Sequence, residues 1–158
     1  MPSIGITTEI KADISVVFDL SRSIDLHKIS TSHTNETAIA GKTEGLIELG
    51  EFVTWKAKHF GVYQKLTTRI TEYERPSFFV DEMVSGAFKS FRHEHHFKET
   101  TTGTMMTDYF HYVSPFGWIG RLVDTLFLKK YMTKLLLKRN ETIKSFAESD
   151  RYKELIGF

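Results

Sequence analysis

Cysteine is absent from the chain, and only three of its residues are proline. Without a thiol there can be no disulfide staple and no thiolate chemistry, and a reducing, cytoplasmic location is expected. A long apolar run is also missing. A membrane-spanning helix needs roughly 20 apolar residues in succession, so no integral membrane segment is predicted. The opening "MPSIGITTEIKAD" has neither a basic stretch nor an apolar stretch behind it, and no signal peptide is expected. Nor does charge of one sign dominate. Twenty-one basic residues stand against twenty acidic ones, for a net charge of +1, and that balance gives no field for nucleic acid or an acidic membrane surface. Glycine-rich phosphate loops, the G-x-S-x-G nucleophile elbow, internal repeats and low-complexity linkers are all absent. No cofactor is predicted.

What the chain does have is bulk. Its 158 residues are enough for one domain with a real core, 1–158. Aromatic residues make up 13%, and 13 of them are Phe, which suggests bulky packing or the lining of an apolar cavity.

The order of patterns is informative. "SIGITTEI" alternates as a strand does. Asp13 and Ser23 stand at helix N-cap positions, each ahead of apolar residues at helical spacing (Ile14, Val17 and Phe18; Leu26 and Ile29). Five strand-like segments follow, with short turns at Gly61, Pro76, Gly86 and Gly103, as in an antiparallel meander. From Ile119 through Leu122, Val123 and Leu126 to Met132, Leu135, Leu136, Ile143 and Phe146, apolar residues then recur at spacings of 3 and 4. The basic residues from Lys129 to Arg139 are expected on the solvated face of this helix. The fold class is therefore α+β: a curved antiparallel sheet of about seven strands wrapped around a long C-terminal helix, with two short helices after the first strand.

The run "FRHEHHF" (Phe91 to Phe97) is read through its hairpin with "GTMMTDYFHYV". A tight turn before Gly103 places Phe97 opposite Met106, His95 opposite Asp108, His93 opposite Phe110 and Phe91 opposite Tyr112. Apolar groups then share one face, while Arg92, Glu94, His96, Lys98, Tyr109 and His111 share the other. A slip of one residue would destroy that separation. His93, His95 and Asp108 are predicted to point inward, and His96 and His111 outward. A turn at Gly61-Val62 likewise sets Val53 against Ile70, Trp55 against Thr68, Ala57 against Leu66 and His59 against Gln64. For "SFFVDEMVS" the alternation permits either Glu82, or Asp81 with Met83, to face inward.

An inward carboxylate without a donor would cost several kcal/mol, so Asp108 needs a partner, and the cross-strand imidazole of His95 is the obvious one. Such a pair either holds a polar network together or orients a neutral histidine as a base. His93, His95 and Asp108 could also share a metal ion, but two of the three are ordinary alternating strand residues, and no metal is predicted. Trp55 and Phe91, taken singly, are core aromatics. The case for a pocket rests on polar groups recurring on one apolar face.

At "VTWKAKHFG" (Val53 to Gly61), "FRHEHHF" and "GTMMTDYFHYVSPFGWIGRL" (Gly103 to Leu122) the chain resembles the START-like or SRPBCC superfamily, which includes polyketide cyclase/dehydrase and lipid-transport proteins. The closer likeness is to small bacterial single-domain members, with the "VTW", "HFG", "H-x-H-x-F", "T-x-M-x-D" and "P-F-G" motifs. It covers almost the whole chain. The resemblance implies a helix-grip fold with a cavity between sheet and C-terminal helix, lined by Trp55, His59, Phe91, His93, His95, Asp108, Phe110 and Tyr112. Phe91 stands where many members have Trp, which removes an indole donor. The implied function is binding of a lipid, an isoprenoid or an aromatic polyketide-like molecule. Alternatives are a cyclase, dehydratase or hydrolase using a His95–Asp108 dyad with His93 or Tyr112, and a co-chaperone-like interaction domain with a filled interior. The edge strands leave room for a homo-oligomer.

Overall fold

The computed structural model of the protein describes residues 3–114 and 127–156. Ile119, Leu122, Val123, Leu126 and the P-F-G motif lie outside them. The strands are β1 (Ser3–Ile10), β2 (Thr37–Gly41), β3 (Phe52–His59), β4 (Val62–Glu74), β5 (Phe78–Ser85), β6 (Ser90–Glu99) and β7 (Thr104–Val113). All pairings are antiparallel and form one seven-stranded sheet in the order β1-β7-β6-β5-β4-β3-β2. Helices α1 (Ile14–Ser21) and α2 (Ile24–Ser30) follow β1 as expected, and the long helix α3 spans Lys129–Ala147, with a short α4 at Lys153–Ile156.

Local chemistry sets the helix starts. Asp13 Oδ1 accepts the Ser15 N–H at 2.8 Å, and Ser23 Oγ accepts the Leu26 N–H at 3.1 Å, so both predicted caps satisfy amides that the first turn leaves free. Helix α1 then buries Val16, Val17, Phe18 and Leu20. The Phe18 ring meets Tyr73, Phe79 and Phe97 edge-on at 5.2–5.5 Å, which locks α1 against β4, β5 and β6. On α3 the buried positions are Leu136, Arg139, Asn140, Ile143, Phe146 and Ala147, one stripe at spacings of 3 and 4. Arg139 thus lies inside, at 6% exposure, and not on the solvated face expected for it. The reason is that the stripe through Leu136 and Ile143 passes over position 139.

The β6–β7 register is the predicted one: Phe91 with Tyr112, His93 with Phe110, His95 with Asp108, Phe97 with Met106. His96 and His111 lie on the outer face, both beside Glu94. The β3–β4 register differs from expectation by two residues. Val53 pairs with Thr68, Trp55 with Leu66, Ala57 with Gln64 and His59 with Val62. The turn is Phe60-Gly61, with φ of 53° and 78°. A two-residue hairpin of this kind needs positive φ at both central positions, and a turn at Gly61-Val62 would have forced that conformation on a β-branched valine. A slip of two keeps parity, so Val53, Trp55 and Ala57 still face inward. In β5 the open choice falls to Asp81: it faces in, while Glu82 points out to Arg92.

Gly103 closes the β6–β7 hairpin directly on the β1–α1 connection. A Cβ there would stand 2.2 Å from the Ile10 carbonyl oxygen, 2.8 Å from Lys11 Cα and 2.9 Å from the Ala12 nitrogen, all of them backbone. Gly103→Ala should therefore cost about 2–3 kcal/mol in urea denaturation, the range for overpacking a site that cannot relax. Gly5→Ala, whose added carbon meets nothing nearer than 3.7 Å, should be close to neutral. Equal effects of the two would contradict this packing.

Candidate functional site

Strand alternation brings four side chains to one patch of the inner face, and helix α3 supplies two more. Asp108 is fully buried, at 0% exposure. Its Oδ1 lies 3.0 Å from His93 Nε2, 3.1 Å from His95 Nδ1 and 3.5 Å from Arg139 Nη1, and its Oδ2 accepts from Asn140 Nδ2 at 2.8 Å. On its other side, His95 Nε2 is 2.7 Å from Asp81 Oδ1. The His95 ring stacks on Phe79 at 4.1 Å and on His93 at 3.8 Å, so its orientation is set by packing as well as by polar contacts. Arg139 also donates to Asn140 Oδ1 and to the Ser21 carbonyl, each at 3.0 Å.

The dyad expected from the sequence is thus one edge of a six-residue network. The alternation of β5 leaves Asp81 open, and the sequence does not single out Arg139 or Asn140. Their signal was present, since both share the helical stripe of Leu136 and Ile143, but the lysine-rich surroundings of α3 obscured it.

Between this network and α3 lies a cavity of about 580 Å³. Trp55, His59, Phe91, His93, His95 and Phe110 line it, together with Leu66, Phe79, Asp81, Met132, Leu136 and Arg139. Two expected residues do not reach it. Asp108 sits behind the histidines, its oxygens taken up by β6 and α3. Tyr112 is packed in a core cluster with Ile4, Phe91, Phe110 and Leu136.

Of a second polar group on the cavity wall, the sequence points only to His59. His27 of α2 pairs with Glu36, and its ring lies 4.4 Å from that of Trp55. The Thr31 hydroxyl lies 3.4 Å from the same carboxylate. His59 Nδ1 meets the Tyr131 hydroxyl of α3 at 2.6 Å. A short helix and an irregular segment carry His27 and Glu36, and neither has a periodicity that would announce a wall position.

Protonation follows from these surroundings. Burial alone would raise the Asp108 carboxyl, but the hydrogen bonds from His93 and His95 and the charge of Arg139 hold it well below the usual carboxylate range. The same contest, decided by His95, His93 and Arg139, lowers Asp81. Burial lowers His59. Burial first, then the neighbouring His95, push His93 down to about 4, against the pull of Asp108 and Asp81. His93 is therefore neutral at pH 7. Asp81, His93 and His95 together offer three possible metal-ligand atoms within 4.8 Å of one another.

No family pattern matches the chain, and no curated protein matches its sequence. Solved structures do match. The protein TTHA0849 from Thermus thermophilus aligns with 91% of this chain and 98% of its own at 17% identity and a TM-score of 0.71. The major latex-like protein 151 of Panax ginseng covers 94% and 98% at 17% identity and 0.68. The di-domain ARO/CYC protein StfQ from the steffimycin biosynthetic pathway matches 92% of this chain with 50% of its own, at 10% identity and 0.74. At such identities the likeness shows the fold alone, the helix grip of a seven-stranded antiparallel sheet and a long C-terminal helix.

A histidine whose folded pKa lies below its unfolded value gives up stability as pH falls from about 6.5 to about 4, because the unfolded chain takes up the proton first. Asp81 and Asp108, held below 3.8, add losses only at still lower pH. In metal-free buffer, urea denaturation should show the unfolding free energy falling by on the order of 3 kcal/mol between pH 6.5 and 4. His93→Gln should flatten that slope. A wild-type profile that is level through the window would refute the buried, neutral His93.

Proposed function

We propose that residues 1–158 form one domain that binds an apolar or amphipathic small molecule in the cavity between sheet and helix. The observation that carries this reading is the cavity itself. Its volume of about 580 Å³ falls within the roughly 300–1,000 Å³ of small-molecule sites, and its wall is mostly apolar in area, with the two polar clusters among the polar side chains that reach it. A lipid, an isoprenoid or a fused aromatic compound with one or two oxygen functions suits that lining. The ginseng latex-like protein and the aromatase/cyclase StfQ share the fold, which is in keeping with either binding or cyclisation.

An enzymatic reading is favoured by one feature, the carboxylate–imidazole network on the wall. It requires a change of roles, however. Both ring nitrogens of His95 are engaged, by Asp81 and Asp108, and Tyr112 is away from the cavity. His93 is better placed as a base. Its Nε2 faces Asp108, while its Nδ1 stands 3.9 Å from Asp81, beyond hydrogen-bond length. A co-chaperone-like role presupposes an interior filled by side chains, and the open cavity speaks against it. Among the described residues no helix is long and apolar enough to cross a membrane.

Met132 of α3 projects into the cavity, so Met132→Trp should fill part of it. The fluorescent probe 1-anilinonaphthalene-8-sulfonate should bind the wild type at one per chain, and the variant at least tenfold more weakly with unchanged melting. Mass spectrometry of organic extracts of the purified protein should reveal a co-purifying compound that Met132→Trp loses. Probe affinity indifferent to Met132→Trp would place binding elsewhere and overturn the proposal.

A further inference from the structure

We infer that Asp81, His93 and His95 form a binding site for a divalent first-row transition metal ion, with zinc as the best-suited occupant and its open side toward the cavity. This goes beyond small-molecule binding and does not depend on it. It also differs from the metal set considered from sequence, because Asp81 replaces Asp108 as the carboxylate ligand.

The geometry has three parts. First, the candidate ligand atoms converge. Asp81 Oδ1 is 2.7 Å from His95 Nε2 and 3.9 Å from His93 Nδ1. Metal–ligand bonds of about 2.0–2.2 Å set ligands roughly 3.0–3.5 Å apart, which the two distances bracket. Second, the far nitrogens of both imidazoles meet one buried oxygen. His93 Nε2 and His95 Nδ1 lie 3.0 and 3.1 Å from Asp108 Oδ1. A carboxylate behind each ligating imidazole is the usual device for fixing the tautomer and raising the basicity of the coordinating nitrogen. Here one carboxylate serves two rings. In the metal-free chain His95 Nε2–H can donate to Asp81 Oδ1 while Nδ1 accepts from Arg139 Nη2 at 3.4 Å. A metal ion would take the place of the Nε2 proton, which moves to Nδ1 and is donated to Asp108, so that His93 Nδ1 and His95 Nε2 both present lone pairs beside Asp81.

Third, the local charge leaves room for a cation. Asp81 and Asp108 bring two negative charges to the cluster, and Arg139 supplies one positive charge. Arg139 is not needed as the sole partner of either carboxylate, since it is also held by the Asn140 side chain and the Ser21 carbonyl. Two histidines and one carboxylate with an exposed side are the ligand set of catalytic zinc and of non-haem iron sites, where a position stays free for water or a substrate oxygen.

The test is titration of the chelator-treated full chain with Co(II), then displacement by Zn(II). One Co(II) per chain is expected, with the visible absorption of a four- or five-coordinate nitrogen/oxygen site. Asp81→Asn and His93→Gln should weaken binding about 100-fold or more, and Asp108→Asn by about 10–100-fold. Far-UV circular dichroism and melting in chelator show whether each variant folds. His96→Gln, on the outer face beside Glu94, should change nothing, and Met132→Trp should bind Co(II) like the wild type even where it loses the organic probe. Should a ligand variant fail to fold, nitrogen chemical shifts of the wild-type imidazoles still decide: Zn(II) must move His93 Nδ1 and His95 Nε2. Failure to saturate at one equivalent, affinity unchanged in Asp81→Asn and His93→Gln, or loss in His96→Gln would each overturn the assignment.

Discussion

A carboxylate with no access to water is the constraint around which the interior is arranged. Asp108 is ionised and fully buried, and the four partners it needs come from two distant elements of the chain: two imidazoles from β6, an amide and a guanidinium from α3. Left with fewer, the charge would cost several kcal/mol, so the network dictates where α3 crosses the sheet. Hydrophobic burial alone would let the helix slide or roll over so broad an apolar face. The polar contacts at Arg139 and Asn140 fix its position.

That fixed crossing also explains why a cavity survives. Beyond Asn140 the helix packs into the main core through Ile143, Phe146 and Ala147, against Phe18 and Phe97. Before Arg139 it passes over the sheet with Leu128, Met132, Leu135 and Leu136, and these residues line open space. The network is thus the inner end wall of the pocket. His27, Glu36 and His59 form a separate polar station on the same wall, tied to α3 through Tyr131. A molecule with an apolar body and two polar functions would meet complementary groups at both.

The sequence revealed faces more reliably than pairings, for a physical reason. Side-chain direction in a strand has a period of two, so alternation fixes which face a residue takes but cannot distinguish registers two residues apart. In β6–β7 the turn beside Gly103 removed that ambiguity, and the pairing of His95 with Asp108 was legible. In β3–β4 the ambiguity was decided by the demand for positive φ, which falls on Phe60 and Gly61. Phe60 is an unusual residue for that conformation, and its ring packs 4.6 Å from Tyr131. In β5 both candidate inward positions carry a carboxylate, so no polarity contrast existed to read. Arg139 was hidden for the opposite reason. Basic residues on an amphipathic helix normally face water, and only knowledge of a buried carboxylate opposite would have reversed that expectation.

This division bears on how far the structural likenesses reach. Chains 10–17% identical to this one cover more than nine-tenths of it with the same fold, because the fold needs only alternation, caps, turns and one amphipathic helix. Those requirements are met by residue classes. The wall of the cavity is different. There Asp81 facing inward beside His93 and His95, with Asp108 behind both rings, is a matter of particular residues at particular positions. Exchanging Asp81, which is no partner of Asp108, would leave the architecture nearly unchanged and alter what the cavity can hold. The chemistry of this protein must therefore be read from those side chains, since the helix grip supplies the container and says nothing about its contents.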